Sequence, residues 1–117
     1  MTYTESIAEE PIKEQVLKTS THLSTDKTSY LAGENVKITV KVSDENGRVL
    51  SNADVTVTIT PPIGRITTIR GTTNLNGSVT FVMSTKRNTK KGTYQTKADT
   101  TISNYESISS TTSFQIR

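Results

Sequence analysis

The 117-residue chain contains no cysteine and no tryptophan, and only one histidine, two phenylalanines and three prolines. Without cysteine there is no disulfide, no thiolate nucleophile and no thiolate metal site. A single histidine, His22, cannot build a three-histidine zinc centre, and no G-x-S-x-G elbow accompanies it and Asp26 to suggest a serine hydrolase. No run of about twenty apolar residues is present, so no membrane-spanning helix is expected. Charge of one sign is also scarce: 14 basic and 11 acidic residues leave +3. That falls well short of the positive field on which nucleic-acid binding depends. Most enzyme chemistries are therefore short of parts. No catalytic activity, cofactor, nucleic-acid partner or membrane insertion is expected.

What the chain has in abundance is small hydroxyls. Threonine and serine occupy 36 of the 117 positions, with 23 Thr and 13 Ser. Threonine is β-branched and suits a pleated, half-wet surface, so the composition favours strands over helices. Disorder would scatter the apolar residues, but here they recur at spacing two. Val36, Ile38, Val40 and Val42 alternate with Lys37, Thr39 and Lys41; Ala53, Val55, Val57 and Ile59 alternate with Asp54, Thr56 and Thr58. Pro61-Pro62 then ends the second run, because proline lacks the ladder donor. Val79, Phe81 and Met83 give a third inward set, Tyr94, Thr96 and Ala98 a fourth, and Thr112, Phe114 and Ile116 a fifth. Less regular runs at 23–28 and 65–73 stand where two further strands are needed.

Turn chemistry separates these runs. Gly33-Glu34, Asn46-Gly47, Asn76-Gly77 and Lys91-Gly92 fall between them, and Asn-Gly readily takes the positive φ of a tight turn. About seven short strands without a long helix predict an antiparallel immunoglobulin-like (fibronectin III-like) β-sandwich over residues 21–117, held without a disulfide. Residues 1–20 differ in composition and carry a net charge of −2. They read as an N-terminal extension or linker, with Pro11, Ile12, Val16 and Leu17 placed for a short helix.

Ser29-Tyr30-Leu31-Ala32-Gly33-Glu34-Asn35-Val36, then Asp44 through Val55, Thr73 through Phe81, and Gly92-Thr93-Tyr94 follow one another in the order of four recurring elements. The pattern resembles bacterial Ig-like and macroglobulin-like (MG2-type) modules and covers about residues 24–116. The resemblance implies a non-catalytic structural or interaction module, a spacer or domain-orienting unit of a larger secreted or surface-anchored bacterial protein. It carries no catalytic residues over. The implied partners are neighbouring domains of the same parent chain, and the isolated domain is expected to be monomeric.

Three local features compete with plain turns and strands. Lys86, Arg87, Lys90 and Lys91 crowd one predicted loop, where they could contact a cell-wall polymer, an anionic glycan or an acidic host protein. Asp44-Glu45-Asn46-Gly47 offers oxygen ligands for calcium but lacks the EF-hand spacing, so a turn is the expected reading. A lysine-to-asparagine isopeptide cross-link, found in some adhesin modules, is not expected: Lys37 and Lys41 point outward, and residues 110–117 hold no Asn or Asp. The alternative function, a carbohydrate- or host-protein-binding module, would need an exposed aromatic platform. Tyr3, Tyr30 and Tyr105 are the rings available for one.

Overall fold

A computed structural model describes residues 17–106 and 108–117. The short helix expected around Pro11 to Leu17 and the ring of Tyr3 fall outside the described residues, or at their first residue.

Nine strands form in chain order: β1 (Leu17–Thr25), β2 (Ser29–Tyr30), β3 (Asn35–Asp44), β4 (Asp54–Thr60), β5 (Thr67–Thr72), β6 (Ser78–Ser84), β7 (Gly92–Thr101), β8 (Tyr105–Glu106) and β9 (Ile108–Ile116). The seven long strands match the number expected, and the two-residue β2 and β8 are additions. No helix occurs among the described residues. The strands build a four-stranded sheet, β6-β3-β1-β8, and a five-stranded sheet, β2-β9-β7-β4-β5. The long pairs are antiparallel, while β2 and β8 join β9 and β1 in parallel.

Alternation in the sequence becomes burial between the sheets. On β3, Val36, Ile38, Val40 and Val42 are all buried while Lys37 and Lys41 are exposed. On β4 the buried set is Val55, Val57 and Ile59, with Ala53 just ahead of the strand. β7 and β9, in the same sheet as β4, add Tyr94, Ala98, Phe114 and Ile116, and this set faces the β3 residues across the core. Burying each large apolar side chain contributes about 1.5–3 kcal/mol. The run expected at 65–73 yields a shorter strand, β5, because residues 61–66 are spent on the turn after Pro61-Pro62. The run expected at 23–28 is the end of β1 followed by a loop, and β1 extends back to Leu17.

Register defines two poles. β1 starts beside Asp44 and Tyr105, with Thr19 opposite Asp44 and Leu17 opposite Tyr105. β9 ends at the other side, with Ile116 opposite Gly92 and the Arg117 amide bonded to Tyr30 O at 2.7 Å. The chain therefore enters at one pole and leaves at the other. With 3.3–3.4 Å per strand residue, the poles lie on the order of 30 Å apart.

Candidate functional site

The exit pole gathers the loops 26–34, 61–66 and 85–91, and the third of these carries Lys86, Arg87, Lys90 and Lys91. All four cationic side chains are exposed. The loop that carries them is nonetheless well anchored. The Lys86 amide donates to Thr89 Oγ1 at 2.7 Å and the Thr89 amide returns to Lys86 O at 2.9 Å, closing a turn. At its far side the Tyr94 hydroxyl donates to Lys90 O at 2.5 Å. At its near side the buried Thr85 hydroxyl accepts from the Gly33 amide at 2.8 Å and donates to Glu34 O at 2.5 Å, which ties it to the 26–34 loop. Lys27, Arg65 and Arg117 sit on the same pole, as do Asp26 and Glu34. Glu34 is half engaged by Lys27 at 3.6 Å, an exposed pair that adds little stability. The pole thus presents four exposed cations on a loop whose backbone is hydrogen-bonded at both ends.

Tyr30 belongs to the core, so it is not available for the exposed platform that a carbohydrate- or host-protein-binding reading would need. The residue is 1% exposed, its ring meets Phe114 edge-on with centroids 5.7 Å apart, and Tyr94 stacks on Phe114 at 5.3 Å. The Tyr30 hydroxyl donates to Asp26 Oδ1 and accepts from the Lys27 amide at 3.0 Å. That hydroxyl, foremost, together with backbone amides holds the Asp26 carboxyl below the usual carboxylate range. Burial, then the Asp26 hydrogen bond, raises the Tyr30 phenol; burial raises Tyr94. Tyr105 is half-buried against the core at the entry pole.

The other sequence candidates resolve as structure. Asp44 is buried, and its Oδ1 accepts from the Asn46 and Arg48 amides, both at 2.9 Å, so the carboxylate closes the turn in which Gly47 takes φ 87°. Among the described residues no group of three His, Asp or Glu side chains could hold a metal ion. His22 lies exposed within β1, opposite Lys41. A shallow groove between β4 and β5, lined by Asp54, Arg70, Thr72 and Thr101, opens on the outer sheet face nearer the entry pole, apart from the basic loop.

Sequence reasoning found the basic loop but missed its anchors. Thr85, like the buried Thr73 near the other pole, has no mark that separates it from the other hydroxyl residues. Tyr30 had one: Asp26 stands four residues earlier, within reach of a phenol turned inward.

Comparison with known proteins now decides the family, since the family model described as "MG2 domain" matches residues 20–116. The chain belongs to the MG2 domain family. A search of curated protein sequences finds no match. Among solved structures, the domain is similar to the D00-D0 domain of intimin, with 24% identity and a TM-score of 0.60 over 89% of this chain and 50% of that one. It is also similar to a CARDB domain from Pyrococcus furiosus, solved in complex with di-metal ions, with 12% identity, TM-score 0.57, and 97% and 100% of the two chains covered. The PmoD soluble domain from Methylocystis matches at 9% identity and TM-score 0.50, over 83% of this chain and 90% of that one. At these identities the likeness concerns the fold. The MG2 domain spans half of the intimin fragment it matches.

Proposed function

We propose that the MG2 domain is a non-catalytic spacer of a larger secreted or cell-surface protein, setting the distance and orientation of the domains on either side. The observation that carries this reading is the placement of strand ends: β1 starts at one pole and β9 finishes at the other, hydrogen-bonded into the loop after β2. Force or orientation entering at one pole must cross both sheets to reach the other. The absence of cysteine makes the test clean. Lys18→Cys and Arg117→Cys, both at exposed positions, accept spin labels without side reactions. Dipolar spectroscopy should give one narrow distance population on the order of 30 Å between backbones. A broad distribution, or one centred well below that span, would refute a rigid spacer.

A second role rests on the exposed, anchored cations of the exit pole. Lys86, Arg87, Lys90 and Lys91 would contact an anionic partner, such as a cell-wall polymer, a glycan or an acidic host protein, beside the neighbouring domain. Binding to an anionic polymer should weaken with salt and largely disappear when all four become serine. Unchanged binding by that variant would dismiss the contact.

A further inference from the structure

Four strands form the edges of the two sheets, and they are not protected alike. β2 and β8 are two residues long, which leaves little edge to pair. β5 carries Arg70 at its centre. β6, Ser-Val-Thr-Phe-Val-Met-Ser, has seven residues with no charge, no proline and no glycine.

The Val42 amide donates to Gly77 O at 2.7 Å, and this bond fixes the phase of the β3–β6 ladder. Hydrogen-bonded and non-bonded pairs alternate along an antiparallel ladder. Val79, Phe81 and Met83 therefore spend their backbone groups on Val40, Ile38 and Val36. Thr80, Val82 and Ser84 direct theirs away from the sheet, with no partner among the described residues. Ser78 is already used, since its amide donates to Asn74 Oδ1 at 3.1 Å and its carbonyl accepts from the Asn74 amide at 2.9 Å.

We infer that β6 pairs antiparallel with β6 of a second copy, about a two-fold axis through Val82. This is the register that uses every outward group: Val82 faces its own counterpart, and Thr80 faces Ser84 of the other copy. Each of the three pairs exchanges two hydrogen bonds. On the solvent face the 56% exposed Val82 gains an apolar neighbour, and on the inner face Phe81 comes opposite the other copy's Met83. Charge is compatible with the same arrangement. Antiparallel pairing keeps the two basic loops apart, directing each copy's Lys86 and Arg87 toward the other copy's entry pole, where the exposed Glu45 and Arg48 offset one another. Lys37, beside Val82 on β3, ends about three strand spacings, or ~14 Å, from its counterpart, beyond the screening length at physiological salt. The equivalent pairing of β5 would set Arg70 directly against Arg70, which like-charge repulsion disfavours. One strand pair covers less than the roughly 1,200 Å² of a standard interface, so the association is weak and concentration-dependent. It departs from the monomer expected from the sequence and is independent of the spacer reading.

Two measurements on the full chain test it. Sedimentation between 10 µM and 1 mM, concentrations spanning about the range of weak complexes, should show a monomer–dimer equilibrium that Val82→Lys weakens at least tenfold without altering the far-ultraviolet spectrum. A single cysteine then reads the register. In a hydrogen-bonded antiparallel pair the Cα atoms stand about 5.5 Å apart, within disulfide reach, so Val82→Cys should cross-link to itself on mild oxidation. Thr80→Cys should not, because four residues of offset separate it from its counterpart. A chain that stays monomeric at 1 mM, a dimer indifferent to Val82→Lys, or equal cross-linking by both cysteines would each overturn the proposal.

Discussion

Two buried threonines allow one substitution to be tried with opposite expected signs. Thr96 lies on β7, 1% exposed, and its Oγ1 has no hydrogen-bond partner among the described residues. Thr73 is 3% exposed, and its Oγ1 donates to Leu50 O at 2.7 Å and accepts from the Ala53 amide at 2.9 Å. Valine has nearly the same shape as threonine, with a methyl in place of the hydroxyl. At position 96 the change removes an unpaired buried polar group, which costs about 1–3 kcal/mol, so a gain of about 1–2 kcal/mol is expected. At position 73 it strands a buried amide and a carbonyl, and a loss of about 2–3 kcal/mol is expected. For a domain of this size each kcal/mol moves the thermal midpoint by roughly 4–8 °C. Urea unfolding of both variants, with the slope checked for constancy, measures the two changes directly. A Thr96→Val protein no more stable than the parent, or a Thr73→Val protein as stable, would refute the polar accounting of this core.

Gly77 is buried at φ 72°, and an added Cβ would stand 2.6 Å from Val42 O. Gly77→Ala should cost more than about 2 kcal/mol, combining left-handed strain with overpacking, and a thermal midpoint within 3 °C of the parent would contradict this. On the acid side, a carboxyl held below its unfolded value stabilises above that value, and the contribution fades as pH falls through the folded one. Asp26 is such a group, so stability should decline below about pH 4, and Asp26→Asn should flatten that decline. On the alkaline side Tyr30 and Tyr94 are raised, so their contribution is complete below about pH 10 and lost above it. Denaturation followed across pH 2–12, a window of about that width being needed to cover both limbs, would expose an Asp26→Asn profile identical to the parent's.

The fold was legible because period-two burial leaves a direct trace: Val36 to Val42 and Val55 to Ile59 face inward as their alternation requires. Boundaries were less so. β1 is built from Lys-Thr-Ser-Thr-His, where few side chains are apolar, and pairing with β3 holds it in place where propensity would not. The exposed cations of the 85–91 loop were legible as charge, since charge needs no tertiary context. The burial of Tyr30 was not, because it depends on Phe114, distant in the chain, and on the Asp26 carboxylate that satisfies its hydroxyl.

Amide hydrogen exchange followed by NMR tests most directly the claim that interleaved apolar and hydroxyl side chains close two facing sheets over one core. The central strands β3, β4 and β7 should exchange slowest, near the rate set by global unfolding, while the outward amides of Thr80 and Val82 exchange faster in dilute solution. Uniformly rapid exchange across 36–42 and 55–59, or chemical shifts of helical sign there, would contradict it.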